Sequence, residues 1–532
     1  MKHAPTISCV ALSALAMAAP AADPVILTFD KVETGKPVSS YTDKGVVFTL
    51  AHGLTKSKGA GKVMFFPHLK TSRKGILNAI ASESIPVQVR FPKPVSSVTL
   101  VLWGSIGSAA LVEAYDKDGQ VVDKASREKV PERTGPEQPI PSFELTVKAA
   151  AISSLRFSGA PPGGYLVCDE VRFTPQSEVP PLKEAFKGKF LIGVAFEVRG
   201  GQRQASLDID IATTHFSAFT PENSMKPMFT QPAEGRFNFA AADRLVELAQ
   251  NSGATPIGHC LVWHSQTPRW FFQGPDDKPA DRDLALARMR KHIATVVGHY
   301  KGRVKQWDVV NEAISDKQDQ LLRPSPWLKA IGEDYIAEAF RAAHKADPDA
   351  ILIYNDFGIE RRDKRHKALE LLKSLRQQKV PIHAVGIQGH WRLESLDLAE
   401  VEESIKQFAA LGLKVMITEL DISVLPRRSE SADISRTERP GAEQRAKMNP
   451  YAEGLPDSVA QQQAERYRQA FAMFLRHKDV IGRVTFWGIH DGRSWLNFFP
   501  IRGRTDYPLL FDRQGQPKPA FFAVRKAALD SK

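Results

Sequence analysis

Eight short apolar runs recur along the second two-thirds of the chain, and most are separated by stretches of helical period. The runs are FLIGVAF from residue 190, FSAFT from 216, TPIGHCLVW from 255, VKQWDVV from 304, AILIYND from 350, AVGIQG from 384, KVMITEL from 414 and RVTFWGI from 483. Stretches such as AADRLVELAQ and DYIAEAFRAAHKA between them place apolar residues at helical spacing. Strands that alternate with helices are joined by crossovers and must run parallel. Eight such units suit a closed (β/α)8 TIM barrel, here residues 190–530. An open doubly wound sheet is the competing arrangement. It calls for a glycine-rich phosphate loop after its first strand, and none is read there.

The region before the barrel has a different rhythm. Residues 23–175 carry short runs rich in β-branched and aromatic residues: PVILTFD, GVVFTL, VQVRF, SSVTLVLWG, ALVEAYD, SFELTV, ISSLRFSG and YLVCDEVRF. Turn signals such as Asp118-Gly119 and Pro161-Pro162-Gly163-Gly164 separate them. The pattern predicts an antiparallel β-sandwich, followed by a proline-bearing linker over 176–189 that leads into a new helix. The expectation is therefore a multidomain chain, as its 532 residues already imply.

The first residues read as a targeting segment. Lys2 and His3 precede the apolar run ISCVALSALAMAAPAA, and Ala19-Pro20-Ala21 has the small-x-small form of a cleavage site. Residues 1–22 are expected to be a signal peptide, and the protein to be secreted or periplasmic with no membrane span. Cys9 would leave with that segment, while Cys168 and Cys260 fall in different domains, so no disulfide framework is expected. The net charge of +12 reads first as solubility and second as attraction to an acidic polymer. No zinc-finger spacing, RNA-binding aromatic signature or basic helix points to nucleic acid.

In a barrel of this kind the chemistry sits where strands end. Strand two ends in Glu222, Asn223 and Lys226; strand three carries His259, Trp263 and His264; strand four gives Asn311 and Glu312. Strand five ends in Tyr354-Asn355-Asp356, strand six in Gln388 and His390, strand seven in Glu419 and Asp421. Strand eight gives Trp487 and Asp491, with Trp495 beyond. The histidines have neither a His-x-His on the first strand nor a His-Glu-x-x-His helix, so neither a metal nor a cofactor is expected. No Gly-x-Ser-x-Gly elbow appears, and Cys260 lies in mid-strand as a buried structural thiol would. Glu312 and Glu419, on opposite sides of a small barrel mouth, suit glycosidic bond cleavage. One donates a proton to the leaving oxygen; the other stays ionised. Tryptophans offer flat apolar faces for sugar rings.

From about residue 185 to 528 the chain resembles glycoside hydrolase family ten, the retaining endo-β-1,4-xylanases. The motifs are TPENSMKP, QPAEGRFNFAAAD, GHCLVWHSQTPRWF, WDVVNEA, YNDF, VGIQGHW, VMITELDI, TFWGIHDGRSWL and PLLFD. The resemblance implies that Glu312 is the general acid/base and Glu419 the nucleophile. It implies that Asn311 binds the sugar 2-hydroxyl and that His390 keeps Glu419 ionised. Glu222, Asn223, Lys226, His259, Trp263, Gln388, Trp487 and Trp495 match glycone-side contacts. Retention would place the two carboxyls about 5–5.5 Å apart. The implied partner is xylan or a related β-1,4-linked polysaccharide, and the expected state is a monomer. Other readings are a barrel glycosidase for another β-1,4-glycan and a catalytically inactive xylan-binding protein.

Three departures from the family pattern stand out: His490 in WGIHD, Phe357 in YNDF where tyrosine is usual, and a polar insertion over 425–457. Asp308 is expected to support the site by hydrogen bonding, and Trp307 and Trp270 to pack. The first domain is a candidate carbohydrate-binding module or a spacer. Its tryptophan, Trp103, lies in an apolar run, while Tyr115 and Tyr165 lie near turns.

Overall fold

The computed structural model describes residues 24–51, 62–67, 73–78, 85–104, 109–132, 134–135, 137–159, 166–175, 181–198, 203–275, 278–426 and 441–531. The expected signal segment, the turn at 161–164, Tyr165 and residues 427–440 of the insertion lie outside these. The chain divides into two compact units, 1–179 and 180–532.

The first unit is antiparallel throughout its described strands and is organised by two long ones, Val87–Gly104 and Phe143–Gly159. The sequence reads each of them as two separate strands. They are continuous, but their pairing slips between Arg90 and Val95 and again between Val95 and Ser97. Pro92 and Pro94 fall in that slip, where a missing N–H costs no ladder bond. The early part of Val87–Gly104 pairs with Val46–Leu50, and the later part with Leu166–Pro175. The pair thus joins these strands into one sheet, and Val89, Leu100, Val112, Leu155 and Phe157 meet in one core. Trp103 is buried in a smaller cluster with Leu77 and Val167, so it is packing and not an exposed sugar platform. Tyr115 donates its hydroxyl to Glu113 at 2.7 Å and lies under Arg156.

The second unit is a closed parallel barrel. Strands one to eight are Leu191–Phe196, Ala218–Pro221, Thr255–Trp263, Gln306–Asn311, Ile351–Asp356, Ala384–Ile387, Lys414–Ser423 and Ile481–Phe486. Each pairs with its successor, and strand eight pairs with strand one. Helices cover the outside through apolar stripes. In Tyr335–Ala346, for example, Ile336, Ala339, Phe340 and Ala343 recur at helical spacing and are buried. Ahead of the barrel the short helix Leu182–Ala185 buries Leu182, and Phe186 packs at a tilt on Phe190 and edge-on to Phe471. The insertion is not structureless in its described part. It holds the helix Ala442–Lys447, and Asn449 and the Tyr451 carbonyl bond to Thr505 and Tyr507.

Three strands lose simple alternation near their C-terminal ends. Register shifts fall between His259 and Val262, between Asp308 and Val310, and between Ile417 and Leu420. Each shift re-aims the side chains beyond it. Alternation therefore does not relate Asp308 to Glu312. Trp307 is fully buried and faces Gly258 across the strand pair, where an added β-carbon would lie 2.0 Å from the indole. Gly258→Ala is expected to destabilise the barrel by about 1–3 kcal/mol through overpacking, read as a lower Tm of the barrel transition.

Candidate active site

A cleft of about 880 Å³ opens at the C-terminal ends of the barrel strands. Glu222, Asn223, Lys226, His259, Trp263, Asn311, Glu312, Gln388, His390, Glu419, Trp487 and Trp495 all line it. These twelve expected site residues are thus brought to one place, although strands two to four and six to eight deliver them separately; His264, Tyr354, Asn355, Asp356, Asp421 and Asp491, also read at strand ends, are not among the lining side chains.

At the centre are two buried glutamates, Glu312 at 7 % and Glu419 at 5 % exposure. Trp263 Nε1–H donates to Glu312 Oε2 at 2.8 Å, and Gln388 Nε2 donates to Oε1 at 3.0 Å. Asn355 Nδ2 donates to Glu419 Oε1 at 2.7 Å and to Asn311 Oδ1 at 2.8 Å. Gln388 Nε2 also reaches Asn311 Oδ1 at 3.3 Å. The two carboxyls are therefore tied through Gln388, Asn311 and Asn355. Thr418 Oγ1 donates to Asn355 Oδ1 at 2.6 Å, which fixes the amide with its N–H groups toward the cleft. Asn355 is central to this network, yet the sequence assigned it no role. Its place at the strand end in YNDF was the available signal.

His390 separates the proton affinities of the pair. Its Nδ1 lies 2.9 Å from Asp421 Oδ2 and its Nε2 3.1 Å from Glu419 Oε2. Burial disfavours the charged ring, but Asp421 and Glu419 outweigh it and raise its pKa to about 10, so both ring nitrogens donate at neutral pH. Burial likewise pushes Glu419 upward. The hydrogen bond from His390, the influence of His259 and His390, and the Asn355 amide reverse this, leaving Glu419 below the usual carboxylate value. Glu312 keeps a raised pKa. Burial dominates and the negative charge of Glu419 adds to it, against the bonds from Gln388 and Trp263 and the charge of Arg323.

The surrounding residues hold this centre. Asp308 accepts from His259 Nδ1 at 2.9 Å, the supporting role read for it from the sequence. Trp495 Nε1–H donates to Asp421 Oδ2 at 2.9 Å and its ring packs on His390. Trp487 stands edge-on to His259. Lys226 donates to Asn223 at 3.1 Å and lies over the Trp263 ring. Phe357 lines the cleft with Lys364 Nζ 3.5 Å from its ring centre, so cation–π contact holds it where a tyrosine was expected. His490 points away, with Nε2 3.2 Å from Asp208 and Nδ1 accepting the Gly492 N–H. Trp270 stacks on Phe271 and donates to the Gln231 carbonyl. Cys260 is buried, and burial raises its thiol well above the normal range.

Two buried carboxyls in one cleft at a parallel-barrel mouth, one with its proton affinity raised and the other with it lowered, are the equipment of a glycoside hydrolase. The comparisons with known proteins agree. The chain matches the Glycosyl hydrolase family 10 profile over residues 181–527 and belongs to that family. It is 42 % identical over 349 residues to a β-1,4-xylanase of Dictyoglomus thermophilum, covering 66 % of this chain and 91 % of that one. An endo-1,4-β-xylanase of Geobacillus stearothermophilus is also 42 % identical, over 354 residues, covering 65 % and 98 %. Among solved structures, a family 10 endoxylanase from a sugarcane soil metagenome aligns with a TM-score of 0.62 at 40 % identity, over 65 % of this chain and 99 % of that one.

Replacing His390 by Asn removes the cation beside Glu419 while keeping a polar side chain. The Glu419 carboxyl is then expected to titrate at higher pH than in the parent, measured by carboxyl-¹³C NMR titration.

Proposed function

We propose that this protein is an exported endo-1,4-β-xylanase that cleaves xylan with retention of configuration, using Glu312 as acid/base and Glu419 as nucleophile. The observation that carries the reading is the opposite displacement of two buried carboxyls linked through shared amides. Glu419 attacks the anomeric carbon as Glu312 gives its proton to the departing oxygen. The C–O bond breaks and a glycosyl ester forms on Glu419. Glu312, now ionised, takes a proton from water, which releases the sugar and restores both groups. Asn311 is held by Asn355 and Gln388 with its oxygen occupied, leaving its NH2 for the sugar 2-hydroxyl. The names of the relatives support xylan as substrate.

Glu419→Ala is expected to abolish turnover of every substrate. Glu312→Ala is expected to keep kcat/KM on aryl xylobiosides with good leaving groups, lose activity on xylan, and form β-xylosyl azide when azide is added. An α-configured azide product, or unchanged xylan hydrolysis by either variant, contradicts the assignment.

Export rests on the basic start and apolar run of residues 2–22. N-terminal sequencing of protein recovered from periplasm or medium is expected to begin near residue 23; an intact Met1 refutes it.

A further inference from the structure

Glu312 has φ +59°, one of four non-glycine residues with positive φ among those described. A glutamate in this region is strained and persists only when its surroundings hold it there. Its own N–H is bound by the Asn355 carbonyl at 2.8 Å. Its carbonyl is bound by Arg323, which returns from eleven residues further along the chain.

Arg323 makes a fork over three alternate residues. Nε donates to the Glu312 carbonyl at 3.0 Å, Nη2 to the Ile314 carbonyl at 3.1 Å, and Nη1 to Asp316 Oδ2 at 2.9 Å. Its backbone N–H donates to the Ala313 carbonyl at 2.7 Å. The planar guanidinium suits three acceptors in a row, as an ammonium does not. The clamp is itself held. Lys364 Nζ joins Asp316 to Asp356 at 3.0 Å each, and Asp356 accepts from the Ile314 N–H and the Tyr354 hydroxyl.

We propose that Arg323 is the positioning residue of the Glu312 carboxyl, clamping the left-handed turn from which that side chain projects. The inference rests on Glu312 being the acid/base. Glu419 and His264, the latter 3.8 Å from Glu312 Oε2, are the other ionisable groups facing the carboxyl, and Gln388 and Trp263 donate to it. Around Arg323 stand Asp316, Asp356 and Lys364. Arg323 is thus a cation beside Glu312, and its charge opposes the upward push of burial on that carboxyl.

Two variants separate geometry from charge. Arg323→Met is expected to lower kcat/KM on unactivated xylo-oligosaccharides by about 10-fold or more, through loss of alignment. On a dinitrophenyl xylobioside, whose leaving group needs no proton, the loss stays within about 3-fold. The basic limb of its kcat/KM profile moves to higher pH, because the cation that favours ionised Glu312 is gone. Arg323→Lys keeps that limb in place but shows the same loss on unactivated substrates, since an ammonium cannot span the two carbonyls. Parent-like rates in both variants overturn the proposal. So do equal losses on both substrates with the limb unmoved, which is how a merely structural arginine behaves. Glu312→Ala is measured in parallel: if it too fails to discriminate by leaving group, the acid/base reading falls and not the clamp.

Discussion

Burial penalises an ionised carboxylate, and this chain buries two in one cleft. Burial alone would raise the proton affinity of both Glu312 and Glu419. His390 breaks the symmetry. Squeezed between Asp421 and Glu419, it remains an imidazolium well above its ordinary pKa and makes ionised Glu419 the stable form. Glu312 lacks such a partner; it receives only neutral donors, and the charge on Glu419 raises it further. His390, held by Asp421 behind it, is the largest of the influences that lower Glu419.

That arrangement depends on the barrel, because its members come from the ends of strands three to seven, which lie far apart in the chain. Asn355 on strand five must reach Asn311 on strand four and Glu419 on strand seven at once. Closure of eight parallel strands brings such ends within hydrogen-bond reach, and bulges in strands three, four and seven turn the last side chains toward the centre. Rigidity follows from the packing below: fully buried Trp307 fills the space that Gly258 leaves open.

Much of the architecture was legible because its signals are local. Apolar runs of strand length alternating with helical period announce a parallel barrel, and motifs such as TPENSMKP and ITELD sit at the strand ends. The first unit was less legible. Pro92 and Pro94 look like a break, yet they mark a register slip inside one strand of 18 residues, since bulges tolerate proline. Asn355 was legible only as a strand-end residue in YNDF, without a role, and Arg323 carried no signal. The amide works through two residues 44 and 64 positions away. The arginine works on backbone carbonyls, which no motif records.

The sequence by itself determined the barrel, the family resemblance and the set of polar residues at the strand ends, because periodicity and composition along the chain encode them. Only the tertiary structure decided how the proton affinities of the two glutamates are pushed apart, which amides join the pair and how Glu312 is held in a left-handed turn. Those properties arise from desolvation and hydrogen bonds between distant strands, and they exist only once the barrel has closed.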